Sequence, residues 1–198
     1  MLGLLLSLSD MAVSAGRTPS ILVVGDSISA AYGMSLEEGW VARLATRLSE
    51  DHGAYSVVNA SISGETSGGG LRRLPELLRK HSPSIVIIEL GGNDGLRGYP
   101  VGQLRDNLAA MIRLTDRAGA KALVLPMEIP PNFGKIYTDA FRASYLQATQ
   151  GTNAVLADFP LNSVALNTSL MQADGIHPTA EAQPLILESV WTSLESLL

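Results

Sequence analysis

The chain has 198 residues, 46% of them hydrophobic and 17% charged, which is enough apolar material for one domain with a buried core and too much for a disordered tail. It contains no cysteine, which excludes a disulfide scaffold, a thiolate metal centre, an iron–sulfur cluster and a cysteine nucleophile. A net charge of -5, with only 14 Lys and Arg, leaves no basic stripe to displace counterions from a nucleic acid, and three histidines (His52, His81, His177) are too few for a histidine-rich metal site.

In chain order, the first segment is apolar. Residues 1–9 read Met-Leu-Gly-Leu-Leu-Leu-Ser-Leu-Ser, and Val13-Ser14-Ala15 supplies the small-x-small pattern that a signal peptidase cuts. Residues 1–15 are expected to be a signal peptide and 16–198 a single domain, periplasmic or secreted; a cytoplasmic protein with an amphipathic N-terminal segment is the alternative, because no Lys or Arg precedes the apolar run. No other stretch approaches the roughly 20 continuous apolar residues that span a bilayer, so no integral membrane segment is expected.

Beyond this segment, short β-branched runs alternate with longer stretches of helical period, the pattern of a parallel sheet with crossover helices. Strands are predicted at 20–24, 55–59, 84–90, 122–125 and 154–157, brief and mostly apolar as strands covered on both faces must be. Between them, Trp40, Val41, Leu44 and Leu48 mark a helix, as do Leu71, Leu74, Leu77 and Leu78, then Leu104, Leu108, Met111 and Ile112, then Tyr137, Phe141 and Tyr145. A last helix is predicted over 180–198, with Thr179 as its cap and Pro184 bending or delaying the first turn. The result is a three-layer α/β domain on a five-stranded parallel sheet, with every strand-to-helix loop at one edge.

Functional groups in such a fold belong in those loops. Gly25-Asp26-Ser27-Ile28-Ser29 follows the first strand, Ala60-Ser61-Ile62-Ser63-Gly64-Glu65 the second and Gly91-Gly92-Asn93-Asp94-Gly95 the third, while Asp174-Gly175-Ile176-His177-Pro178 precedes the last helix. A serine hydroxyl attacks a carbonyl only if a base takes its proton, and a neutral imidazole does so near pH 7. His177 is the candidate base, and Asp174, three residues earlier, can hold it in one tautomer. The amides of Ser27 and Gly64 and the side-chain NH2 of Asn93 are candidate donors to a developing oxyanion; loss of one such donor costs about 3–4 kcal/mol. Asp26 and Asp94 are read as holding their loops.

Together these segments resemble the four blocks of the SGNH hydrolase, or GDSL-type lipase/esterase, superfamily. Gly25-Asp26-Ser27 is similar to its serine block, Gly64 within 59–66 to its glycine block, Gly91-Gly92-Asn93-Asp94 to its asparagine block and Asp174-Gly175-Ile176-His177-Pro178 to its histidine block. The serine block departs in one detail, Ile28 standing where the name-giving pattern has leucine. The run from Glu89 to Gly98 looks like the bacterial thioesterase I/protease I/lysophospholipase subgroup, also known as arylesterases. The resemblance implies a flavodoxin-like sheet, a periplasmic location and an acyl-enzyme mechanism without metal or cofactor. It implies the triad Ser27, Asp174 and His177, the oxyanion hole Ser27, Gly64 and Asn93, and a small-molecule acyl ester or thioester as substrate, lysophospholipids included. Nothing in the sequence specifies an oligomeric state.

Three other readings compete. An α/β-hydrolase elbow needs Gly-x-Ser-x-Gly, which 25–29 lack. A two-metal phosphoesterase using Asp26, Asn93 and His177 would recruit further histidines, for which His52 and His81 are poorly placed. A flavodoxin-like binding module would cradle a phosphate on Ser67-Gly68-Gly69-Gly70, without a P-loop lysine. The segment 125–137, apolar and proline-rich, is the candidate wall of an acyl groove.

Overall fold

The computed structural model describes residues 18–51 and 55–198; the expected leader at 1–15 and His52 lie outside them. Five strands form one parallel sheet in the order β2-β1-β3-β4-β5: β1 (Ser20–Gly25), β2 (Ser56–Asn59), β3 (Ile85–Glu89), β4 (Lys121–Val124) and β5 (Val155–Leu156). Of the three inner strands, β1 and β3 are buried along their whole length, which is why Ile-Leu-Val-Val and Ile-Val-Ile-Ile run on without polar alternation. β2 at the edge has exposed ends, Ser56 and Asn59, around half-buried Val57 and Val58, and β5 at the other edge is only two residues long. Short edges offer little unpaired backbone to another chain.

Helices α1 (Trp40–Asp51) and α6 (Gln183–Leu194) pack on each other, and α2 (Ser67–His81), α4 (Val101–Arg117) and α5 (Lys135–Thr149) form a second row, giving three layers. Trp40, Val41, Leu44 and Leu48 are buried along α1, and Leu104, Leu108, Met111 and Ile112 along α4, so the helical period of the sequence marks the core face. Three local details differ from expectation. A short helix, α3 (Gly92–Leu96), occupies what reads as a glycine loop. Thr179 makes no side-chain cap bond, and a 3-10 turn at Ala180–Ala182 precedes α6, with Pro184 in the first turn where its missing N–H costs no helical bond. Residues 195–197 close the chain as a 3-10 turn rather than as part of the helix. Among the described residues no helix is long and apolar enough to cross a membrane.

The register decides where the loops meet. Gly25 is paired with Glu89, so the segments beginning at Asp26 and Leu90 leave the sheet side by side. The β1–β2 ladder continues past the strands, Ala60 N–H to Val23 O and Ile62 N–H to Gly25 O, and brings the loop that holds Gly64 to the same edge.

Candidate active site

Ser27 lies in the turn after β1. Its Oγ is 2.8 Å from Nε2 of His177, whose Nδ1 is 2.7 Å from Oδ2 of Asp174. The other carboxylate oxygen of Asp174 accepts the backbone N–H groups of Ile176 (2.9 Å) and His177 (3.0 Å). Those bonds, led by the His177 N–H and joined by its ring, lower the Asp174 carboxyl to about 2. Ionised, it only accepts, so Nδ1 of His177 carries the proton and Nε2 presents a lone pair to the Ser27 hydroxyl. Asp174, Gly175, Ile176 and His177 thus form one turn that builds base and orienter together, across 150 residues from the serine.

Asn93, the second residue of α3, donates its side-chain amide to Oδ2 of Asp26 at 3.0 Å. The helix starts here because Gly91 (φ 119) turns the chain sharply off β3; a β-carbon at that position would collide with the Tyr145 hydroxyl. Ser27, Asn93 and His177 line one cavity of about 470 Å³. Its walls are mostly apolar and include Ile28, Leu96, Met127, Ile129 and Leu161, so the first part of the 125–137 segment borders it. The later part, Phe133 to Tyr137, instead borders a separate hollow with Val101 and Ala140. Gly64 is not in the cavity wall; its carbonyl accepts from Arg97 (3.1 Å), the residue after α3, which ties the glycine loop to the helix of Asn93.

Asp94 turns away from the cavity. Its carboxylate accepts the Ser67 N–H (2.8 Å) and hydroxyl (2.6 Å), while the Thr66 hydroxyl accepts the Gly69 N–H (3.3 Å). The amides that a phosphate would need at the start of α2 are therefore partly taken. Among the described residues no three His, Asp or Glu side chains are grouped as metal ligands.

Sequence reasoning passed over Glu89. Fully buried at the end of β3, it accepts the Ser29 hydroxyl (2.7 Å) and the Asp26 N–H (3.2 Å). Burial, then the neighbouring Asp26, pushes its carboxyl well above the ordinary range, and burial raises Asp26 to about 6 against the pull of the Ile28 N–H and Asn93. The available signal was a single acid inside an otherwise apolar central strand.

The model of the GDSL-like lipase/acylhydrolase family matches residues 23–184. The chain belongs to that family. It is 51% identical over 179 residues to the esterase TesA of Pseudomonas aeruginosa, covering 90% of this chain and 89% of that protein. It is 40% identical over 184 residues to the thioesterase 1/protease 1/lysophospholipase L1 of Escherichia coli K12, covering 93% and 87%. Among solved structures, the psychrotrophic esterase EstA of Pseudoalteromonas sp., inhibited by monoethylphosphonate, superposes with a TM-score of 0.86 at 44% identity over 89% of this chain and 97% of that one. The fold of this GDSL-family chain is the α/β sandwich expected from its sequence, and the chain is a hydrolase of the esterase type.

Proposed function

We propose that the chain hydrolyses carboxylic esters and thioesters, with aryl, fatty-acyl and lysophospholipid substrates in its range, through an acyl-enzyme on Ser27. The reading rests on one observation: a serine hydroxyl, an imidazole and an ionised carboxylate in line at 2.8 and 2.7 Å beside an apolar cavity. Ser27 Oγ bonds to the acyl carbon as Nε2 of His177 takes its proton. The amide of Ser27 and the side-chain NH2 of Asn93 serve as oxyanion donors from the cavity wall, with the Gly64 amide as the third donor from beyond it. Collapse of the adduct breaks the bond to the alcohol or thiol, which leaves with the proton from Nε2. Water, deprotonated by the same nitrogen, then releases the acid. Apolar walls at Ile28, Met127 and Ile129 fit an acyl chain better than a charged acid.

Stoichiometric labelling of Ser27 by a fluorophosphonate, with loss of p-nitrophenyl ester hydrolysis, is the expected outcome. Ser27→Ala should escape the label, fold normally and lose turnover by about five to six orders of magnitude. Labelling at another residue, or ester hydrolysis surviving in Ser27→Ala, would overturn the reading.

The proposal extends to residues 1–15 as an export leader, with 16–198 acting as one domain in the periplasm or outside the cell. N-terminal sequencing of protein recovered from the periplasm or medium should begin near Gly16; full-length protein retained in the cytosol would refute export.

A further inference from the structure

Between the serine turn and the histidine turn lies a brace that the chemistry above leaves unused. After Ser27 the chain passes through Ala31 in the left-handed region (φ 55) and Gly33 (φ 78), with Tyr32 between them. A residue with a β-carbon is strained in that conformation, so the bend needs support. Gln172 supplies it. Its Nε2 donates to the Tyr32 carbonyl (2.8 Å) and to the Pro178 carbonyl (3.0 Å), and its backbone N–H donates to the His177 carbonyl (2.7 Å). Gly33 leaves room for this amide, because a β-carbon at 33 would run into it. One side chain thereby joins the nucleophile's segment to the base's turn across 140 residues of sequence. The same bend lays the ring of Tyr32, half exposed to solvent, against the imidazole of His177, with centroids 4.3 Å apart and planes tilted by 36°.

We propose that Tyr32, held in place by Gln172, is a positioning residue for His177 that acts chiefly in the second half of the reaction. This inference rests on the hydrolase reading above. Before acylation the imidazole has two anchors, Asp174 at Nδ1 and the Ser27 hydroxyl at Nε2. Once Ser27 Oγ carries the acyl group its hydrogen is gone, and the ring is held by hydrogen bonding at Nδ1 alone. The face of Tyr32 then stops the imidazole from swinging about that single bond. In this half-reaction Nε2 takes a proton from water and the water oxygen bonds to the acyl carbon. The bond from that carbon to Ser27 Oγ breaks, and the proton returns from Nε2 to Oγ. An aim error of about 1 Å in such a step costs on the order of a hundredfold in rate.

The test is pre-steady-state hydrolysis of an activated p-nitrophenyl ester, with rates normalised to sites titrated by a fluorophosphonate so that only folded, competent enzyme is counted. Tyr32→Ala should lower kcat by about tenfold and KM in parallel, leaving kcat/KM within about twofold, with a p-nitrophenol burst approaching one per site. Tyr32→Phe keeps the ring and should match the parent in all three. Gln172→Leu removes the amide donors and should shift kcat and KM in the same sense as Tyr32→Ala. Equal losses in kcat and kcat/KM, or an unchanged kcat in Tyr32→Ala, would overturn the inference and leave the hydrolase reading standing. A parent enzyme that neither takes the label nor cleaves the ester would overturn both.

Discussion

The side-chain amide of Asn93 is bound to the carboxylate of Asp26, the residue immediately before the nucleophile, and the same carboxylate holds the N–H of Ile28, immediately after it. One buried group therefore sets both the turn that presents Ser27 and the direction of an amide proposed for the oxyanion. Asp26→Asn has one oxygen for two donors and turns an N–H toward the other. It should lower kcat by about a hundred- to thousandfold with little change in KM, as should Asn93→Ala. Because Asp26 acts through Asn93, the double variant should lose little more than either single one; fully additive losses would place the role of Asp26 elsewhere.

The same carboxyl predicts an unusual pH dependence of stability. In the fold Asp26 keeps its proton up to about 6, against an ordinary value of 3.8, because it is 2% exposed. Between those pH values the folded chain binds more protons than the unfolded one. The contribution of Asp26 is complete below about pH 4 and is lost as pH rises through 6, a span of about 3 kcal/mol at most. Asp174 works in the opposite direction: lowered to about 2, it stabilises above its ordinary 3.8 and loses this as pH falls toward 2. Urea unfolding of the parent should show a downward slope in stability from about pH 4 to 6 that is shallower in Asp26→Asn, where the raised carboxyl of Glu89 still contributes in the same direction; the same slope in both proteins would contradict the assignment.

Glu89 should behave as a neutral hydrogen-bond acceptor rather than as an anion. Its Oε2 serves two donors, whereas Oε1 is buried without a hydrogen-bond partner. Glu89→Gln preserves the acceptor and removes the titration but puts an NH2 where Oε1 has no partner, so stability should fall by about 1–3 kcal/mol, less than in Glu89→Ala, and activity by less than a few fold. Glu89→Ala strands the Ser29 hydroxyl and the Asp26 N–H and opens a cavity, and it should cost about 3–5 kcal/mol. A loss in Glu89→Gln as large as that in Glu89→Ala by thermal melting would mean that the acceptor alone does not account for its role.

The sequence makes the sheet readable because β1 and β3 are buried on both faces and therefore carry unbroken aliphatic runs. It makes the candidate site readable because the loops after β1 and β3 hold the polar residues that such runs exclude. What it hides is set by tertiary contact. α3 is too short and too glycine-rich for periodicity to show, and exists because Gly91 turns the chain and the N–H of Arg97 closes on the Asn93 carbonyl. Thr179 has the right residue type for a cap, yet a 3-10 turn displaces the helix start to Gln183. Tyr32 and Gln172 lie in unremarkable local sequence, and only the meeting of two distant turns gives them a role.

Asp174 has two duties that substitutions can separate. One oxygen holds the imidazole, the other gathers the N–H groups of its own turn. Asp174→Asn can keep an acceptor for the backbone but offers an N–H to Nδ1, which favours the wrong tautomer and should cost about 10⁴ in kcat with a melting temperature near that of the parent. Asp174→Ala removes both contacts and should melt lower as well. His177→Ala, which removes the base, should cost more than either, about 10⁶. Equal melting temperatures for Asp174→Ala and Asp174→Asn would show that the turn forms without its carboxylate.

Gly91 is the position where packing and catalysis meet most tightly. Its φ of 119 lies in a region that disfavours side chains, and a β-carbon there would strike the hydroxyl of Tyr145, which is itself bonded to the Leu90 carbonyl at 3.0 Å. Gly91→Ala should therefore destabilise the fold by about 3 kcal/mol or more, the sum of backbone strain and overpacking. It should also displace the start of α3 and with it Asn93, lowering kcat in the protein that remains folded. Tyr145→Phe removes the colliding oxygen, so in that background the cost of Gly91→Ala should fall toward the backbone strain of about 1–2 kcal/mol, with a remainder from the close approach to Leu104 and the ring itself. A cost that stays the same with or without the Tyr145 hydroxyl, measured by urea unfolding of the four proteins, would assign the whole penalty to φ and none to the collision.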